Sequence, residues 1–380
     1  MATEILTHPS QLQAIAPEWR ELAAGRANAF VTPDWYLAWL HSYGGGAEPW
    51  VPVVRDEHEG LIGLMPLART AGRRPALQFA GSNLGDLFHP VSRDEAGDAA
   101  VARAVAGELA GARDWASLLL ENVPAGAPWL AALEQSAPGL RTTRVPHRDE
   151  VLPAIPLGER GWDGYLAERS RNFRSQLGRK QRGLEREGSV RFRRSDDPAL
   201  LGRDLDAFFG LHDARWEGRG GSQALTERSR EFHRAFAAAA QGQDWLRLWF
   251  LELDSEPIAA WYGWLLGGRY AYYLAGFDGR FSRWSVGQLL LAHTIRSAFD
   301  EGADEYDLLL GGEEYKSRFA ETALEVRTVA VTRPWSPARA AIRAESLGRR
   351  AADRLSPELR EAIKRPLRGL TRRSPSKVER

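Results

Sequence analysis

The order of apolar and polar positions divides the chain into two stretches of similar design. In the first, an apolar run at 51–54 is followed by the acidic turn Asp56, Glu57 and Glu59 and a second apolar run at 61–67. Short apolar runs on either side of a polar turn predict a β-hairpin. A helical stretch at 94–111 then leads into Leu118-Leu119-Leu120. In the second, a strand ending at Leu253, the turn Asp254-Ser255-Glu256 and a strand from Ile258 predict another hairpin, with an extra aromatic strand over 270–277. A helix over 285–301 and the run Leu308-Leu309-Leu310 complete it. Leucine runs bounded by turns predict strands buried on both faces. The shared order favours a duplicated α/β unit over a chance match.

The seam between the units is expected near 153–156, giving units over 1–155 and 156–335. Beyond the seam, the spacing of Leu166, Phe173, Leu177 and Leu184 predicts one long helix over 162–187. Two further helices, 199–216 and 226–240, precede the second hairpin. After Pro334 the chain turns into an Arg-rich helix and a Ser-Pro-Ser tail, 336–380. The apolar stretch 257–277 has the length of a membrane span. Gly267-Gly268-Arg269 interrupts it, however, and two strands with a tight turn fit its aromatic and β-branched content better. No basic region followed by an apolar run opens the chain, so a cytoplasmic location is expected.

Composition narrows the chemistry. The 380 residues contain no cysteine, which excludes disulfides, zinc ribbons and thiol nucleophiles. The net charge of +1 conceals segregation. Residues 168–194 carry ten basic against three acidic residues, a net +7, and 336–380 carry thirteen against five, a net +8. The remainder therefore stands near −14. Either basic segment is a solvated face or a site for a polyanion such as a nucleotide cofactor, RNA or an anionic saccharide. In the tail, Leu355, Leu359, Ile363 and Leu367 recur every fourth residue, a stripe that can dock on the domain or on a membrane surface.

Two clusters carry candidate chemistry. Ser285 with Gln288 three residues on reads as a capping box. Gly276, Gly279 and Gly287 surround the same turn, and Arg280 and Arg283 lie in it. A strand, a glycine-containing turn and a helix N-terminus can receive a pyrophosphate on backbone N–H groups. The second cluster is 311–319, directly after the Leu run, where ligands of open α/β sheets sit. It holds Glu314, Tyr315 and Lys316, the last being one of only four lysines and a candidate stabiliser of developing negative charge. His212 and Trp216, a helical turn apart beside Arg215, are candidates to line a pocket. His233 and His293 have no companion at ligand spacing, so no metal site is expected. The absence of G-x-S-x-G disfavours a serine hydrolase.

The run Gly276-Phe277-Asp278, Ser285-x-Gly287-x-x-Leu290, 303–311 and Tyr315-Lys316 resembles the CelD-type acetyltransferases of the GNAT superfamily, which are related to the FemAB-like branch. Arg171-Asn172-Phe173-Arg174, His212-x-x-Arg215-Trp216 and Gly81-Ser82-Asn83 with Asp86 fit the same family. The resemblance covers roughly 35–332. It implies an α/β fold of two tandem GNAT-like acyl-CoA N-acyltransferase units plus the basic tail. Acetyl-CoA or another acyl-CoA would be the donor, held at the turn 280–287, with no metal. The chain departs from the Q/R-x-x-G-x-G/A form of simple GNAT enzymes. Lys316 with Phe319 also matches the K-x-x-F of the FemAB branch, whose donors are aminoacyl-tRNAs. The CelD-type resemblance implies a link to cellulose or exopolysaccharide production, with a small-molecule or saccharide acceptor. Arg171 and Arg174 would join His212 and Trp216 on the substrate side.

The expected mechanism is direct attack by an acceptor amine, or a hydroxyl, on an acyl thioester. Backbone N–H groups of 270–276 and Lys316 would polarise the carbonyl, and Tyr315 would protonate the leaving thiolate. Asp86, Glu314 or a water chain would act as base. An aminoacyl-tRNA-dependent transferase, with RNA on the +7 segment, and a non-catalytic binder of polysaccharide or another partner remain the alternatives.

Overall fold

The computed structural model describes residues 2–72, 75–145, 148–216, 225–311 and 315–353. The first half opens with β1 (Ala2–Leu6), α1 (Pro9–Gly25) and α2 (Pro33–Tyr43). Short strands follow: β2 (Ala47–Pro49), β3 (Val51–Arg55), β4 (Leu61–Leu64), β5 (Leu67–Thr70), β6 (Ala76–Phe79) and β7 (Val91–Ser92). Then come α3 (Glu95–Gly111), β8 (Ser117–Pro124), α4 (Pro128–Ser136) and β9 (Arg141–Arg144). The second half runs β10 (Glu150–Pro156), α5 (Gly161–Glu168), α6 (Arg171–Leu184), β11 (Val190–Arg194), α7 (Leu201–Trp216) and α8 (Glu227–Gly242). It ends with β12 (Leu246–Leu253), β13 (Glu256–Leu266), β14 (Arg269–Phe277), α9 (Val286–Asp300), β15 (Glu305–Asp307), β16 (Thr322–Thr332) and α10 (Pro337–Asp353).

Local chemistry accounts for several of these boundaries. Gly267 and Gly268, at φ +55° and +81°, supply the two left-handed positions of the tight β13–β14 hairpin. Asp94 accepts the Gly97 amide and starts α3, and Thr226 accepts the Ser229 amide and starts α8. The helix expected over 162–187 is instead two helices. Arg169 is extended, and the Ser170 hydroxyl accepts the Phe173 amide at 3.2 Å, so α6 begins afresh. The expected Leu308–310 strand is also absent, because β15 stops at Asp307. The Asp307 carboxylate takes the Leu309 amide at 2.8 Å and turns the chain, with Leu309 at φ +54°. In β8, Leu118 and Leu120 are buried while Leu119 is half-buried, so that run alternates.

Hairpin, helix and strand recur in both halves, but in different sheets. β3 and β4 belong to a four-stranded sheet ordered β1-β3-β4-β7. A twelve-stranded sheet is ordered β11-β12-β13-β14-β15-β10-β16-β8-β6-β5-β2, with β9 also on β16. It crosses from one half to the other. Residues 153–156 lie in β10, between β15 and β16; β16 pairs with β8 along its far edge, while β9 continues along the same edge of β16 as β10. A shared aromatic core reinforces the join. Trp35 of α2 meets Phe232 and Phe236 of α8 edge-on at 4.7 and 5.1 Å, and Phe30 meets Trp264 of β13 at 5.3 Å. All five rings are buried, and truncating one to alanine would cost about 3–5 kcal/mol.

Candidate active site

β14 and β15 run parallel only from Arg269 to Ala271, opposite Glu305 to Asp307. Beyond that point β14 continues over 272–277 with its other edge on β13, so the edge on the β15 side is free of strand partners. A cleft of about 320 Å³ opens there. Tyr272, Ala275 and Phe277 of β14 line it, with Ser282, the opening residues Ser285, Val286, Gly287 and Gln288 of α9, Arg215 of α7, and Tyr315. Three residues singled out from the sequence, Ser285, Gly287 and Tyr315, thus meet in one place.

The expected capping box does not form. Ser285 is left-handed (φ 52°, ψ 46°) and its side chain makes no cap bond. A non-glycine residue in that region carries strain. The kink brings the first residues of α9 to the cleft wall; the Gln288 amide is taken by the Ser285 carbonyl at 2.8 Å, and the helix-opening amides of Val286 and Gly287 precede it.

The two arginines of the same turn are engaged elsewhere. Arg280 donates to Asp278 at 2.7 Å and reaches Glu256 at 3.8 Å; Arg283 pairs with Glu187 at 2.9 Å over the Trp284 ring. Neither lines the cleft. Gly276 serves packing: a Cβ there would fall 2.2 Å from the His212 nitrogen, so its absence lets α7 rest on β14. That contact delivers Arg215. Its Nη1 donates to the Ala275 carbonyl at 3.1 Å, and its guanidinium lies over Trp216 and Phe277.

Opposite Arg215, the Tyr272 and Tyr315 hydroxyls stand 2.9 Å apart. Lys316 is buried beside them. Its Nζ donates to the Leu310 carbonyl at 2.7 Å and lies 5.6 Å from the Tyr272 ring. The Leu310 amide donates to Asp86 at 3.2 Å, which sets Asp86 behind this peptide instead of in the cleft lining. Asp307 supports the same turn. Burial pushes its carboxyl up to about 6, against the pull of Arg269 and the Leu309 amide. Glu314 lies outside the described residues.

His212 is buried behind Arg215, its Nδ1 without a partner among the described residues. Burial, then the Arg215 charge, pushes it down to about 4, so it is neutral at pH 7. The Trp216 indole nitrogen is likewise unpartnered among the described residues. Arg174 closes the end of α5 by donating to the carbonyls of Ala167 at 2.6 Å and Arg169 at 2.7 Å. Arg171 is exposed on α6. Near it a groove of about 520 Å³, lined by Arg169, Asn172, Gln176 and Arg318, leads toward the cleft past Lys180 and Gln288.

The sequence reading undervalued Arg215 and passed over Tyr272. The signal for Tyr272 was the alternation Tyr270, Tyr272 against Tyr273, which separates the two faces of β14. Among the described residues no cluster of three His, Cys, Asp or Glu could hold a metal, and no helix is long and apolar enough to cross a membrane.

Residues 171–317 match the family model of the acetyltransferase (GNAT) domain. Among solved structures, FemX is similar at 12% identity over 91% of this chain and 100% of its own, with a TM-score of 0.62. The C-terminal domain of a putative lysylphosphatidylglycerol synthetase from Agrobacterium fabrum is similar at 15% identity over 90% and 98%, TM-score 0.55. L-PGS from Bacillus licheniformis is similar at 13% identity over 89% and 96%, TM-score 0.53. No curated protein matches the sequence. The architecture is the two-unit, mixed α/β acyl-CoA N-acyltransferase fold, and the stretch that matches the acetyltransferase (GNAT) domain model lies in its second half.

Proposed function

We propose that the protein transfers an acyl group from acyl-CoA to an amine or hydroxyl of a small-molecule or saccharide acceptor, by direct attack. The observation that carries this is the cleft where β14 parts from β15, closed at one end by the opening of α9. The cleft suits a thioester donor carrying a diphosphate: an open strand edge for an extended arm, helix-opening amides, and the Arg215 cation. The donor supplies an activated carbonyl and a thiolate leaving group. The 272–277 edge would hold that carbonyl, and the Lys316 charge would favour the negative charge forming on its oxygen. The acceptor's nitrogen bonds to the carbonyl carbon, the C–S bond breaks, and Tyr315, backed by Tyr272, would give its proton to sulfur. The acceptor's proton would leave through water to a carboxylate, Asp86 or Glu314.

Incubation of purified protein with acetyl-CoA and a panel of amines tests this through release of free thiol. Absence of both thiol release and acyl-CoA binding would overturn it. A second reading, an aminoacyl-tRNA donor, is favoured by one observation. Arg171, Arg179 and Arg182 are exposed on α6, with no ion-pair partner among the described residues, and Asn172 and Gln176 of the same helix line the groove that meets the cleft. That reading expects tight, salt-sensitive tRNA binding and no affinity for CoA. The cellulose or exopolysaccharide context and a cytoplasmic site of action belong to the same proposal. A catalytically silent binder would leave Lys316→Ala without effect.

A further inference from the structure

Away from the cleft, Arg343 and Arg141 lie close enough to Arg339 for their charges to act on it. Arg339 and Arg343 are a helical turn apart on α10, and Arg141 comes from β9. The Arg339 Nη1 atom is shielded from solvent and has no hydrogen-bond partner among the described residues. None of the three has an ion-pair partner among the described residues. The carboxylate nearest in sequence, Glu345, is taken by Arg148 at 3.0 Å. Burial, and then the charges of Arg343 and Arg141, hold Arg339 below its ordinary value. Like charges gathered without a counter-ion create a local potential that an external anion relieves.

A second observation stands beside this cluster. Trp335 is 98% exposed in the turn that leads into α10, four residues before Arg339. Each of the other thirteen tryptophans is buried or half-buried. Leu347 on the same helix is 65% exposed, with Ala340 and Ala344 at helical spacing before it. An inorganic anion would satisfy the arginines but leave Trp335 and Leu347 in water. A surface that is anionic at its face and apolar just beneath satisfies both, and tryptophan favours that boundary.

We propose that Trp335 and the Arg141, Arg339 and Arg343 cluster dock the protein on an anionic phospholipid bilayer. The guanidinium groups take lipid phosphates while the indole enters the headgroup layer. The other eleven basic residues of 336–380, against five acidic, add long-range attraction of the same sign.

Sedimentation of the full chain with phosphatidylcholine vesicles, with and without phosphatidylglycerol, tests the proposal. Binding is expected only where phosphatidylglycerol is present. The double variant Arg339→Ala with Arg343→Ala should weaken it about thirtyfold. Trp335→Ala should weaken it several-fold with every charge retained; at 98% exposure its loss removes little packing. Absence of binding would overturn the proposal. So would unchanged binding by Trp335→Ala or by the double variant, which would assign binding to the remaining tail charge. Binding of inorganic phosphate with no binding to either vesicle would mark a soluble-anion site and also overturn it.

Discussion

Asp86 and Lys316, from opposite halves of the chain, grip the same residue: Leu310 gives its amide hydrogen to Asp86 and its carbonyl to Lys316. Lys316→Ala should therefore remove a charge beside the cleft and leave a carbonyl without its donor. Turnover is expected to fall about a hundredfold. Asp86→Asn should cost less alone. Because both act through one residue, the double variant should fall short of the product of the single effects. Steady-state kinetics of the three variants check this, and strictly multiplicative losses would separate the two residues.

Tyr315→Phe deletes one hydroxyl of the Tyr272–Tyr315 pair without changing volume much. If Tyr315 protonates the leaving thiolate, kcat should drop roughly a hundredfold with little change in KM. Tyr272→Phe should give a smaller loss, since it orients the donor. Thiol release by both variants distinguishes the roles.

The cation at the cleft is Arg215, whereas Arg280 and Arg283 are committed to acidic partners. Arg215→Ala should weaken acyl-CoA binding tenfold or more, by roughly the worth of a charged hydrogen bond. Arg280→Ala and Arg283→Ala should stay within about twofold, in keeping with exposed ion pairs. Calorimetric titration decides between them. The reverse ranking would place the diphosphate on the outer turn.

Acid should destabilise the fold. Burial pushes His89, His212 and His293 down to about 4 and His233 to about 3, with Arg215 adding to the effect at His212 and His212 at His233. Below pH 6.5 the unfolded chain binds protons that these folded histidines refuse. Their contribution is complete above 6.5 and is lost as pH falls toward 4, and toward 3 for His233, each group being worth roughly 3 kcal/mol and His233 roughly 5. Asp307, raised to about 6, acts with the opposite sign but is a single group. The urea midpoint should drop between pH 7 and pH 5, and His233→Phe should flatten that drop.

What could be read in advance was what neighbouring residues decide. Gly267-Gly268 announced a hairpin because left-handed backbone favours glycine, and the helices expected from 94 and 226 start there, where the Asp94 and Thr226 side chains accept first-turn amides. Ser285 and Gln288 misled on the same grounds. Their spacing is that of a capping box, but the left-handed Ser285 lifts its hydroxyl away from the amides. The run of arginines was harder still. Arg169 goes to Glu321, Arg193 to Asp204 and Glu252, and Arg174 to carbonyls of α5, while Arg171 stays exposed. Distant partners sort these identical residues, and no local pattern names them. Asp307 shows the same limit, since one buried carboxylate ended a strand that the leucines after it seemed to continue.

The position of β16 bears on how the chain is made. Among the described residues it is the last strand, and it lies between β9 and β10 on one edge and β8 on the other. During synthesis, β8 waits for a neighbour that leaves the ribosome about two hundred residues later. For that interval the nascent first half exposes an open sheet edge, a template for pairing with other chains. Expressed alone, it should collect in inclusion bodies, and supplying 322–332 as a separate peptide should return part of it to the soluble fraction.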